Sequence, residues 1–188
     1  TTNCTWVENN WTPSSLYPGS SSVTGNIDIA RFDATHAATA GIGINMNTFN
    51  GSLYIGGIEI ASLYTGPAFN IGNNSTSKNG ILYLNGSIIN SVPNTVIRNA
   101  SGYDFTINDK PIGDCTSGNK TMGVNLKNST NNIVSVEGTG NVIINSIISG
   151  SNPLEKTGSG AGKLTLNAAN TYSGNVTISA GTVQLLNN

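Results

Sequence analysis

Short bursts of alternating apolar and polar residues, separated by clusters of glycine and asparagine, constrain this chain more than any other feature. The bursts are Leu53 and Ile55, Ile58 and Ile60, Leu82 and Leu84, Phe105 and Ile107, Val124 and Leu126. They continue at Val134 and Val136, Val142 and Ile144, Leu164 and Leu166, Val176 and Ile178, Val183 and Leu185. A period of two puts every second side chain on one face of a strand, so each burst reads as a short, half-buried strand. Between them stand clusters such as Gly72-Asn73-Asn74-Ser75, Asn128-Ser129-Thr130-Asn131-Asn132 and Gly158-Ser159-Gly160-Ala161-Gly162. Glycine and asparagine enter positive φ at little steric cost, so these clusters turn or corner the chain. Ala, Glu, Lys and Leu do not combine at helical spacing over any long stretch, and the expected fold is all-β.

Two all-β architectures compete: a closed sandwich or barrel of hairpins, and a solenoid whose coils stack strand on strand. Few two-residue hairpin signals flank the bursts. Short strands joined by Gly/Asn corners, with one inward apolar stripe, suit a solenoid whose coils hydrogen-bond about 4.8 Å apart. Stacked Asn and Thr side chains are expected to form ladders along such a column. On this reading Leu164, Leu166, Ile178 and Leu185 point inward, while Thr165 and Thr177 face outward and tolerate substitution. Residues 1–50 read as an amino-terminal cap or first irregular coils, and 51–188 as the solenoid.

Composition narrows the function classes. Charged residues make up only 9% of the 188 residues, against about 25% in an ordinary soluble domain. With 37% hydrophobic residues the chain can still bury a core, which separates it from a disordered polar chain. A net charge of −1 provides no basic field for phosphates, which argues against nucleic acid and anionic membrane surfaces as partners. No apolar run approaches the roughly 20 residues of a membrane-spanning helix, so no membrane insertion is expected. The chain begins at Thr1 with no charged and apolar leader, so an export signal is expected to have been removed or never included. Cys4 and Cys115 match neither a zinc nor a C-x-x-C spacing; a single disulfide in an oxidising compartment is expected, two buried thiols being the alternative.

The carboxyl-terminal stretch carries a denser pattern. It runs Leu154-Glu155-Lys156-Thr157-Gly158, Lys163-Leu164-Thr165-Leu166, Asn170-Thr171-Tyr172-Ser173-Gly174, and Val176-Thr177-Ile178-Ser179-Ala180-Gly181-Thr182-Val183-Gln184-Leu185. Residues 154–186 resemble the autotransporter-associated β-strand repeat, also called the passenger-associated transport repeat, of bacterial surface proteins. In that family a Lys-Thr-Gly-x-Gly turn leads into a Leu-Thr-Leu strand. Asn-Thr-Tyr-x-Gly follows, then a strand, an Ala-Gly corner and another strand. Here Ala161-Gly162 stand as extra residues before Lys163. Upstream, Trp6, Trp11 and the runs near Leu53 and Leu82 resemble regions that precede the repeat. The resemblance implies a right-handed parallel β-helix, exported and displayed outside the cell, and implies no particular ligand.

Candidate chemistry is sparse. His36, with Asp33 nearby, has no G-x-S-x-G elbow and reads as exposed or capping. Asp104, Asp109 and Asp114 are the carboxylates to consider for glycoside hydrolysis, but their spacing around Pro111 and Gly113 reads as a loop. The same aspartates lack a calcium-loop pattern. A Walker motif across Gly158 to Lys163 requires glycine where Thr157 stands and Ser or Thr where Leu164 stands, so the stretch reads as a β-corner. Sequons at Asn10, Asn99, Asn128 and Asn175 arise readily in so Asn-rich a chain. Trp6, Trp11, Tyr17 and Phe32 read as a plug for one end of the stack, with sugar binding as the alternative. No catalytic, cofactor-binding or metal-ligating residue is assigned.

The resulting expectation is an extracellular structural or interaction protein, with no cofactor and with other copies of itself as partner. A carbohydrate-binding adhesin that recognises cell-surface glycans comes second, and a polysaccharide-active enzyme third. The segment from Gly181 to Asn188 is strand-like and uncharged, so Val183, Leu185 and Leu186 are expected to form an edge for end-to-end self-association, a repeat fragment whose natural continuation caps this edge being the alternative.

Overall fold

The computed structural model describes residues 18–34, 41–110 and 119–187. Each of the ten bursts lies in a strand. The first coil is β1 (Ile29–Phe32), β2 (Gly41–Ile44) and β3 (Ser52–Ile55). The second is β4 (Gly57–Ile60), β5 (Phe69–Asn73) and β6 (Gly80–Leu84). A short β7 (Ser87–Ile89) precedes the third coil, β8 (Val92–Asn99), β9 (Phe105–Ile107) and β10 (Met122–Leu126). The fourth is β11 (Asn132–Val136), β12 (Val142–Ile144) and β13 (Ile148–Ser149). The fifth is β14 (Leu154–Thr157) and β15 (Lys163–Leu166), and the sixth β16 (Val176–Ile178) and β17 (Thr182–Leu185).

Like strands of successive coils pair in parallel and build three sheets. The first runs β1-β4-β8-β11-β14-β16, the second β2-β5-β9-β12-β15-β17, and the third β3-β6-β10-β13. The molecule is a right-handed parallel β-helix, the hand that parallel crossovers adopt on twisted strands. Register is kept from coil to coil, so inward side chains form columns. Phe69, Phe105, Val142, Leu164 and Val183 make one column, and Leu53, Leu82, Val124 and Ile148 another. Phe32, Phe69 and Phe105 pack in a tilted file, with ring centroids 4.7 and 5.2 Å apart. Phe32 is therefore an internal packing residue and not a sugar platform; Trp6, Trp11 and Tyr17 lie outside the described residues.

Coil length changes along the stack. Arg98 meets Glu59 of the preceding coil across 39 residues, and Asn145 meets Asn108 across 37. Asn167 meets Asn145 across only 22. Buried asparagines tie down the long connections. The Asn99 side chain donates to Tyr103 O and Asn141 O and accepts from Ser101, and Asn73 and Asn132 repeat the arrangement at other corners. The expected asparagine ladder is present as Asn108, Asn145 and Asn167.

The structure departs from the sequence reading in several places. A true hairpin is present: β7 pairs antiparallel with β8 through Asn90 and Ser91, whose φ values of 51° and 65° match the mirror-image turn that suits hairpin twist. Asp104 and Asp109 do not share a loop but flank β9. Asp104 accepts hydrogen bonds from the Asn141 main chain and side chain, both 2.8 Å, in a structural role. Ala161-Gly162 disturb nothing, because Gly160 and Gly162 lie over Gly138 and Gly140 of the coil before and reproduce its corner. Thr165, expected on the outer face, is buried there rather than open to solvent. No helix among the described residues is long and apolar enough to cross a membrane.

Candidate functional site

The carboxyl-terminal coils concentrate what is chemically unusual in the molecule. The Asn-Thr-Tyr-x-Gly motif takes the place of a strand on the third side. Asn170 accepts from the Ile148 amide at 2.8 Å, and Thr171 N and Ser173 N donate to Ile148 O and Gly150 O. The Tyr172 ring packs on the core while its hydroxyl donates to Asn152 O, and burial holds its pKa above the usual tyrosine value. A side chain at Gly174 would run into Asn152 O and the tyrosine ring. Each residue of the motif thus docks one coil on the coil before it.

The Lys-Thr-Gly motif behaves differently from its reading as a plain turn. Lys156 points inward and is 0% exposed, in register with Val134 on one side and Ile178 on the other. Its ammonium donates to the carbonyls of Thr157, Gly158 and Ala180, the last belonging to the sixth coil. Burial pushes its pKa below the ordinary 10.5. No sequence pattern marked this lysine as internal, because its strand alternates as Glu155-Lys156-Thr157 with no apolar signal at the inward position.

Ile178 and Leu185, expected in the core, are each 55% exposed, although Leu164 and Leu166 are buried as expected. Their direction is right: Ile178 pairs with Lys156 and Leu185 with Leu166, so both continue inward columns. What fails is cover, since no described coil lies beyond the sixth. Val176 and Leu186 are exposed beside them, and Val183 is partly buried against the core. β16 pairs only with β14 and β17 only with β15, so two parallel edges end the described stack. Of the residues of the expected association edge, Val183 is thus partly buried while Leu185 and Leu186 are exposed on the last described coil.

The opposite end differs. Ser20 forms an antiparallel bridge with Tyr54 and closes the outer edge of β3, backed by Asp28, which accepts from Gly19 N and Asn26. On the outer face of the first sheet Arg31, Glu59, Arg98 and Glu137 form an alternating charge column. Arg98 bonds Glu59 at 2.7 Å and grips Glu137 with two nitrogens at 3.0 and 2.6 Å. That grip holds the Glu137 carboxyl below its usual range.

The remaining candidates do not assemble. Asp33 lies 3.6 Å from Arg31 Nε, while His36, Asp114, Cys4 and Cys115 lie outside the described residues. No group of three or more His, Cys, Asp and Glu suited to a metal is found among the described residues. Of the sequons, Asn99 is buried and spent on hydrogen bonds, Asn128 is half-buried, Asn175 is exposed, and Asn10 is outside the described residues.

Comparison with known proteins agrees with this geometry. Residues 154–185 match the family model described as the passenger-associated-transport-repeat. No curated protein and no solved structure matches the chain. Repeat and fold together make this a repetitive all-β solenoid of the type found in extracellular and surface repeat proteins.

Proposed function

We propose that this chain, carrying a passenger-associated-transport repeat on its carboxyl-terminal coils, is an exported, rigid building block of the cell exterior whose copies join end to end. The observation that supports it is the uncovered sixth coil. Val176, Ile178, Val183 and Leu185 continue inward columns, and two strand edges stand ready to pair with another parallel coil about 4.8 Å away. Residues 164–188 carry no charged side chain, so the exposed face of the sixth coil lacks the charges that usually blunt a strand edge.

Another copy fits as the occupant on topological grounds. The sixth coil adds strands to two sheets and none to the third. That third sheet is the one whose amino-terminal edge Ser20 already closes. A contact between unlike ends is heterologous and propagates into an open filament.

Light scattering across a concentration series, with negative-stain imaging, tests this reading. The unmodified chain should grow in mass with concentration and form linear assemblies. Replacing Leu185 and Leu186 together by Lys should return it to monomer with little loss of stability. A chain that stays monomeric at high concentration defeats the reading.

A further inference from the structure

The inward column at Lys156 is aliphatic in the coils before it, where Ile97 and Val134 occupy the same register. An ammonium in that position is expensive to bury unless its donors are satisfied. It has three, and three carbonyls meet them: Thr157, Gly158 at 3.2 Å and Ala180 at 3.2 Å. The first two belong to the turn that follows Lys156 itself. The third arrives only when the corner Ser179-Ala180-Gly181 of the sixth coil is in place. Gly181, at φ 75°, is shaped to this contact, since a β-carbon there would stand 2.7 Å from Nζ. The same corner is held from outside by Ser179 Oγ, which donates to Glu155.

Apart from its ladders to β14 and β15, the rest of the sixth coil buries little side-chain surface. All of β16 is exposed, as is β17 apart from Val183. Ile178, the residue in register with Lys156, carries no donor for a following corner, so the clasp joins the fifth and sixth coils and is not repeated at the end.

We infer that Lys156 is a latch: its ammonium, shared between two carbonyls of its own turn and Ala180 of the next coil, holds the sixth coil on the stack, and that coil opens as a unit when the clasp is broken. The consequence for assembly rests on the end-to-end reading, because the sixth coil carries the association face. The latch itself does not depend on that reading.

Hydrogen exchange of the full chain at fixed pH, read by segment, tests the latch. Lys156→Met should speed exchange in residues 176–185 by about tenfold or more, while residues 122–149 keep their rates. Exchange that is unchanged, slowed, or faster throughout the molecule overturns it. Amine labelling of the unmodified protein gives a measurement that does not require the variant to fold. Lys156 should be modified at the rate at which residues 176–185 open, far more slowly than exposed Lys163. Labelling as fast as Lys163, or only on global unfolding, overturns the latch. Light scattering of Lys156→Met separates the two ideas: a loosened sixth coil with unchanged association leaves the latch standing and removes the end face from assembly.

Discussion

The first three coils and the last three solve the same stacking problem with different materials. The early coils are joined by long connections, with contacts spanning 39 and 37 residues, and each connection must be tied back against its closure entropy. Buried asparagines do that at the corners, an aromatic file fills the wider interior, and an alternating charge column braces the outer face. The late coils are shorter, with Val134 facing Lys156 and then Ile178 in the first sheet and Val142 facing Leu164 and then Val183 in the second, and need little of this. Their corners are glycines stacked on glycines, and their ties are the motif residues Lys156, Asn170 and Tyr172. A long coil is stabilised by what it encloses, whereas a short one relies on its neighbours. The last coil has one neighbour among the described residues and leaves most of β16 and β17 exposed.

The sharpest way to break this contrast is through the core. Phe105→Ala, in the middle of the aromatic file, should cost about 3–5 kcal/mol, and Leu164→Ala about 2–5 kcal/mol. Ile178→Ala in the uncovered coil should cost well under about 1 kcal/mol in dilute solution. Denaturant unfolding measures all three. An Ile178→Ala cost equal to that of Leu164→Ala, rising with protein concentration, would show that another copy covers the end face.

Polar ties come next. Asn99→Ala takes a donor from Tyr103 O in its own corner and from Asn141 O of the fourth coil, and an acceptor from Ser101, which should cost about 1–3 kcal/mol. Asn170→Ala removes one acceptor from the Ile148 amide and should cost about 0.5–1.5 kcal/mol. Equal effects at the two positions, again by denaturant unfolding, would remove the distinction between enclosed and neighbour-held coils.

The smallest expected effect is on acid stability. Arg98 lowers the folded pKa of Glu137 below 4.5, so this carboxylate binds fewer protons in the folded state than in the unfolded state. Its contribution is present above 4.5 and is lost as pH falls through the lower folded value. Glu137→Gln should flatten that part of the stability profile. Glu137 is about one-third exposed, so solvent screens the pair and the change should be modest. A profile identical to that of the unmodified protein would show that the charge column contributes nothing to the early coils.

Much of this was legible in the residues themselves. Period-two alternation located ten of the strands, because the inward and outward faces of a half-buried strand differ in polarity whatever they pack against. It passed over β5 and β8, whose Asn70, Asn73, Pro93 and Asn94 interrupt the pattern, and it could not see Lys156 as a core residue. The asparagine clusters were recognised as corners, but not the few members that turn inward to hold a loop. A side-chain amide reads the same in either role until the carbonyls that receive it are brought near.

What the sequence determined alone was local: strand, corner, the direction of each inward side chain, and the repeat at 154–185. Tertiary structure decided the rest. Ile178 and Leu185 point inward by alternation alone, yet whether they are buried depends on the coil stacked above them. The ammonium of Lys156 is tolerable only because Ala180, 24 residues on, returns to within 3.2 Å of it. Direction is set by the φ and ψ of a few consecutive residues, whereas burial and hydrogen-bond satisfaction are set by contacts between coils, which no local pattern encodes.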